Sequence, residues 1–171
     1  MFIYNKKLQY PVKIDKPNPS LAAIIISQYG GPDGELGASL RYLSQRYSMP
    51  FDELKGLLTD VGTEELGHLE MIGAIVHQLT RNLKDSQIQD SAFAPYFVDH
   101  TVGVYPTTAS GAPFTAAFLQ VKGDPICDLT ENLEAEAAPY HTAIGFCHFL
   151  ASRKVVAAQG FFGLLMGEPF C

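Results

Sequence analysis

The stretch LKGLLTDVGTEELGHLEMIGAIVHQL, residues 54–79, decides the fold. Leu54, Leu58, Val61, Leu69, Ile72, Val76 and Leu79 recur at steps of three and four, apart from one step of eight between Val61 and Leu69. That is the period of a helix with one apolar face. The surrounding segment, Pro50 to Leu83, holds about nine turns. Ser48 stands where an N-cap would, with Asp52 and Glu53 near the positive end of the helix dipole. Gly62 and Gly67 each cost about 1 kcal/mol in an isolated helix, so packing must offset them or a close neighbour must need the missing side chain.

The step of eight is filled by Glu65, four residues after Val61 and seven before Ile72, and His68 follows three residues later. Both share one helical face, so a carboxylate and an imidazole interrupt the apolar stripe and are expected to be buried. A carboxylate taken out of water without a partner is so costly that a cation or a proton must compensate it. Imidazole beside carboxylate oxygens suits iron, manganese or zinc. A Glu-x-x-His pair alone is weak, arising by chance in roughly one chain in four of this composition, so its surroundings decide.

Before this helix, Pro19 and the apolar run Leu21 to Ile26 open a helical pattern that Gly30, Gly31 and Pro32 interrupt and Glu35 to Tyr47 resumes. This is one kinked helix or two. Glu35 lies seven residues before Tyr42 on the same side, with small Ala38 and Ser39 between them. Taken alone, Glu35 is equally a surface carboxylate favoured by the helix dipole. Residues 1–18, with Pro11 and Pro17, read as an extended arm. From Lys84 to Asp124 the periodicity is lost among Pro95, Pro106 and Pro113. Such a span is a wrapping or intersubunit segment, or it hides short strands. Helical character returns at Asp128 to Ala138, where periodicity does not choose among Glu131, Glu134 and Glu136.

Composition sets the outer bounds. The chain has 171 residues and 18.7 kDa, with 47% hydrophobic and 18% charged residues and a mean hydropathy of +0.06. That excludes disordered and low-complexity classes and predicts one core. The net charge of −6, with no basic run, argues against nucleic-acid or anionic-membrane partners. The start MFIYNKK sets its lysines after apolar residues, the reverse of a secretory signal, and predicts an intracellular, cytoplasmic chain. Cys127, Cys147 and Cys171 show no CxxC spacing and read as reduced, incidental thiols. His77, His100, His141 and His148 have no Glu three residues ahead and read as surface, loop or interface residues.

The strings YGGPDGELGASLRYLSQRY (29–47) and LLTDVGTEELGHLEMIGAIVHQLTRNL (57–83) resemble the manganese catalase family, in particular its short spore-coat members of the CotJC type. The runs IYNKKLQYPVKI, YFVDHTVGVYP, SGAPFTAAF and GDPICDLTENLEAEA extend the likeness to about residue 136. The resemblance implies an all-α, ferritin-like four-helix bundle holding two manganese ions and disproportionating hydrogen peroxide to water and oxygen. It implies Glu35 and His68 as terminal ligands of the first ion, Glu65 as a bridge and Glu136 as a ligand of the second. Tyr42 would be the active-site tyrosine that hydrogen-bonds near the first ligand, and Glu64, Glu131 and Glu134 are set aside. It further implies a homohexamer, in which arm and loop wrap neighbours, and other spore coat proteins as partners.

On this reading residues 1–171 form a single ferritin-like domain: arm 1–18, first two bundle helices 19–83, wrapping loop 84–125, and third helix with a divergent tail 126–171. The tail departs from the family, whose fourth helix carries a second Glu-x-x-His. Here only Glu168 follows Glu136, and no histidine follows His148. The piece FLASRKVVAAQGFFG (149–163) faintly resembles that helix, with Lys154 and Ala157 where Glu and His would stand. A frame change or recombination after about Ala137 accounts for this, as does a diverged colinear helix. An altered or truncated fourth helix would impair the second metal site and leave apolar surface that drives association. Two alternatives follow: a non-catalytic coat or assembly protein that keeps the bundle surface, and another ferritin-like di-metal oxidase or iron store.

Overall fold

A computed structural model describes residues 3, 5, 7–90, 94 and 105–135. Helix α1 spans Pro19–Gly30, α2 Glu35–Gln45, α3 Asp52–Thr80 and α4 Asp85–Gln89. A further helix, α5, covers the described residues 125–135. Among the described residues there is no strand, only an isolated bridge between Thr107 and Pro113. No described helix is long and apolar enough to cross a membrane.

The α1–α2 question resolves as two helices. Asn18 caps α1 by accepting from the Leu21 N–H, Pro19 opens it, and the chain turns at Gly31-Pro32-Asp33-Gly34. Buried Arg41 holds that turn, its Nη2 donating to the Pro32 carbonyl at 3.1 Å and pairing with Asp33 at 3.2 Å. Helix α3 starts later than the expected Ser48 cap. Ser48 lies in a short 3₁₀ turn and donates to the Gln45 carbonyl, while Met49 is extended and Phe51 occupies the cap without a side-chain bond. Pro50 disfavours helical geometry in the residue before it, so the helix begins beyond it. Asp52 and Glu53 in the first turn then favour the exposed N–H groups electrostatically.

The loop 84–125 is less bare than its composition suggests. It contains α4 and a 3₁₀ turn at Ala116–Phe118. Helix α5 opens at Pro125 rather than Asp128, because a proline costs nothing at the first helical position. Asp124 accepts from the Cys127 N–H, and both carboxylate oxygens of Asp128 accept from Lys122 and Gly123. Cys127 is an exposed free thiol. The fourth-helix segment 149–163, with Lys154 and Ala157, lies outside the described residues.

Two apolar clusters form along α3. One joins its C-terminal half to α1 through Leu21, Ile25, Ile26, Met71, Ile72 and Val76. The other joins its N-terminal half to α2 through Ala38, Tyr42, Met49 and Leu58. The arm packs Leu8, Tyr10, Val12 and Ile14 against the first. Its backbone is held by a side chain: Gln78 Oε1 accepts from the Ile14 N–H at 2.8 Å and Gln78 Nε2 donates to the Val12 carbonyl at 2.9 Å. Arg81 adds a 2.6 Å bond to the Ile14 carbonyl. Gln78→Ala removes two of these bonds and is expected to lower the unfolding free energy by about 1–3 kcal/mol. Chemical denaturation measures the loss, and faster amide exchange at Ile14 locates it.

Candidate metal centre

Between the two apolar clusters the stripe of α3 turns polar. Glu65 and His68 project from mid-helix, each about 5% exposed, and Glu35 enters from the first position of α2 with its side chain 15% exposed. His68 Nδ1 lies 2.7 Å from Glu65 Oε2 and 3.9 Å from Glu35 Oε2. One donor atom from each of the three lies within 4.8 Å of the others.

The convergence follows from how α2 meets α3. The helices run antiparallel, with Glu35 beside His68, Ser39 beside Gly62 and Arg46 beside Thr59. Ser39 Oγ donates to the Gly62 carbonyl at 2.7 Å in a buried bond. A Cβ at Gly62 would sit 2.9 Å from Leu43 Cγ and 3.2 Å from Tyr42 Cβ, so the missing side chain lets the helices approach. A Cβ at Gly67 would meet only the tip of the exposed Gln9 side chain, at 3.2 Å, so no comparable close approach requires that glycine.

The electrostatics agree with a site built for positive charge. Burial, the largest influence on Glu65, pushes its carboxyl up; the bonds with His68 and Glu35 and the attraction of the His68 ring together outweigh it and leave the group below its ordinary value. Two carboxylates this close in a dry seam repel unless a proton or cation lies between them. An imidazole with two carboxylates is a donor set for manganese, iron or zinc, and the spacing suits one ion among the three.

Tyr42 is buried and lines, with Leu58, Val61, Glu65, His68 and Asn132, a cavity of about 530 Å³ between α3 and α5. Glu64 reaches to 3.9 Å from His68 Nε2, and its side chain is 57% exposed. His77 is exposed on the far side of α3. Glu136 lies outside the described residues, as do His100, His141 and His148. Sequence reasoning missed Gln45 and Asn132, a buried pair joining α2 to α5. The one available signal was a polar residue at helical spacing from an apolar or capping position, three after Tyr42 and four after Asp128.

A fold that is helical among the described residues, with buried Glu65 and His68 meeting half-buried Glu35, places the molecule in the ferritin-like class of helical bundles. The chain belongs to the manganese-containing catalase family, whose model matches residues 1–144. It is 52% identical to Protein CotJC of Bacillus subtilis strain 168 over 136 residues, covering 80% of this chain and 71% of that protein. It is 33% identical to a probable manganese catalase of Clostridium acetobutylicum over 138 residues, which is 61% of that protein. The crystal structure of KatB, a manganese catalase from Anabaena, superposes with a TM-score of 0.81 at 28% identity, covering 98% of this chain and 75% of that one.

The close approach of α2 and α3 gives opposite expectations for two glycines of α3. Gly56→Ala, with nothing within 4 Å of the new Cβ, should raise the unfolding free energy by about 1 kcal/mol. Gly62→Ala should lower it by about 1–3 kcal/mol, overpacking outweighing the same propensity gain. Denaturant titration of both proteins gives the two signs.

Proposed function

We propose that this chain is a di-manganese catalase of spore-coat type that disproportionates hydrogen peroxide to water and oxygen. The observation that carries the reading is the convergence of half-buried Glu35 with buried Glu65 and His68, donor atoms within 4.8 Å of one another, in a chain of the manganese catalase family. Glu35, Glu65 and His68 would hold one ion. Glu136, outside the described residues, would join Glu65 in holding a second. When bound, a manganese pair supplies reversible two-electron redox chemistry and Lewis-acid stabilisation of charge on oxygen.

The chain's own residues do the rest. Glu65 lies within hydrogen-bond distance of His68 Nδ1 and keeps that nitrogen turned toward the cluster. Leu58 and Val61 exclude bulk water from one side of the cavity, so charges in it interact strongly. Tyr42, in the same cavity, orients the ligand shell with its hydroxyl. The substrate is hydrogen peroxide, the assembly a homohexamer, and the place of action the spore coat with other coat proteins, the last supported by the likeness to CotJC.

A second reading is a coat or assembly protein without turnover, with which the likeness to Protein CotJC is equally compatible. Oxygen evolution from added peroxide, with metal content measured on the same sample, separates the two. Two manganese per chain with gas release is the expected result; one or none without gas supports the coat protein, and iron with ferroxidase activity overturns both.

His68→Ala should weaken manganese binding by more than the roughly 10–100-fold that loss of an outer-shell partner costs, and abolish gas release. Tyr42→Phe should retain the metal and slow turnover. Manganese held at 100 times its dissociation constant should raise the unfolding free energy by about 2.7 kcal/mol, and a chelator should remove that increment.

A further inference from the structure

The cluster uses His68 through one of its two ring nitrogens. Nδ1 faces inward, 2.7 Å from Glu65 Oε2 and 3.9 Å from Glu35 Oε2. Nε2 faces Glu64, whose Oε1 lies 3.9 Å away. Side chains on a helix lean toward its N-terminus, so the head of a residue covers the positions three and four before it. The imidazole therefore falls between two consecutive carboxylates of α3, one at each ring nitrogen. Their surroundings differ: the Glu65 side chain is 6% exposed and that of Glu64 57%.

A histidine serves a cation by giving it a lone pair, and the place of Nδ1 beside both inner carboxylates makes that nitrogen the donor. The neutral ring then keeps its one proton on Nε2. The ring is 7% exposed, and a donor in so dry a place needs an acceptor. At 3.9 Å the Glu64 oxygen is too far for a hydrogen bond, and a shift of about 1 Å brings it into range. Glu64 is free to make that shift. It lines the cavity between α3 and α5 yet stands mostly in water, and it belongs to neither apolar cluster, so rotating its outer bonds unpacks nothing.

We infer that Glu64 is a positioning residue for the metal centre: it closes on His68 when a cation takes Nδ1, accepts the Nε2–H, and so fixes the tautomer and orientation of the ring. The inference deepens the proposed function and rests on it. Glu64 is not a ligand, because it reaches the nitrogen turned away from the cluster. A carboxylate accepting from the outer nitrogen also makes the imidazole a stronger donor at the inner one.

The test uses the full chain and reads manganese binding by the electron paramagnetic resonance signal of free Mn²⁺ during titration, with no turnover involved. Glu64→Ala should keep its helical circular dichroism, since the site is exposed and alanine favours helix, and should bind Mn²⁺ 10–100-fold less tightly. Glu64→Gln has the same length and keeps an acceptor oxygen without the charge, so it should recover most of the affinity. A second readout follows the ring itself. In a chain labelled with ¹⁵N-histidine and loaded with diamagnetic Zn²⁺, which the same donors suit, His68 should carry a slowly exchanging proton on Nε2, and Glu64→Ala should speed its exchange with water. Wild-type affinity in Glu64→Ala, or an unchanged exchange rate, overturns the inference alone. Equal loss in the alanine and glutamine variants also overturns it, because Glu64 would then act only as a charge at a distance. A wild-type chain that takes up no manganese overturns it together with the catalase reading.

Discussion

Two carboxylates and an imidazole share a seam from which water is largely excluded, and that arrangement constrains everything packed around it. Glu65 takes a place in α3 where the periodicity calls for leucine, and the fold accepts it because His68 and Glu35 arrive within reach. Left unpaired, a charge there would cost several kcal/mol and α3 would lose its packing on α2. The apolar clusters on either side can then be seen as walls: Leu58 and Tyr42 below, Met71 and Ile72 beyond. They hold the three groups in one place, and the helices cannot drift apart without exposing both clusters at once.

The close approach at Gly62 is the geometric counterpart of that charge arrangement. The 2.7 Å bond from Ser39 to the Gly62 carbonyl spans the gap where side chains would otherwise stand, one turn of α3 before Glu65. A helix pair separated by ordinary side chains lies about 8–10 Å apart, and smaller residues at the crossing bring it to the near end of that range. Glu35, with a short reach from the first position of α2, depends on this spacing. Burial, helix crossing and the convergence of Glu35 on His68 are therefore a single constraint, expressed at Ser39, Gly62 and Glu35.

How much of this was legible in the sequence depends on what kind of signal each part leaves. Helix α3 leaves a periodic one, strong over its 29 residues, and the break in its stripe located Glu65 and His68. Glu35 leaves almost none, since a carboxylate at a helix start is common; resemblance to a family singled it out, and the structure shows it facing His68. The start of α3 was misread because Ser48 has the chemistry of a cap but lies on the wrong side of Pro50, and the start of α5 because Pro125 reads as a breaker when it is an opener. The Gln45–Asn132 pair was invisible, because two amides far apart in sequence carry no period and gain meaning only when the chain brings them together.

The way the arm is fastened carries a consequence of its own. A strand in a sheet is stitched to its neighbour by main-chain bonds, but here the polar anchors of the arm are two side chains, Gln78 on α3 and Arg81 just beyond its end, beside the apolar packing of Leu8, Tyr10, Val12 and Ile14. Peeling residues 8–14 away therefore breaks nothing inside α3. The molecule has a seam along which it can open in stages, the strap lifting while the helices stay folded, so resistance to heat or protease is set first by the grip of Gln78 and Arg81 together with the apolar contacts of the arm, Ile14 above all, and only afterwards by the packing between helices.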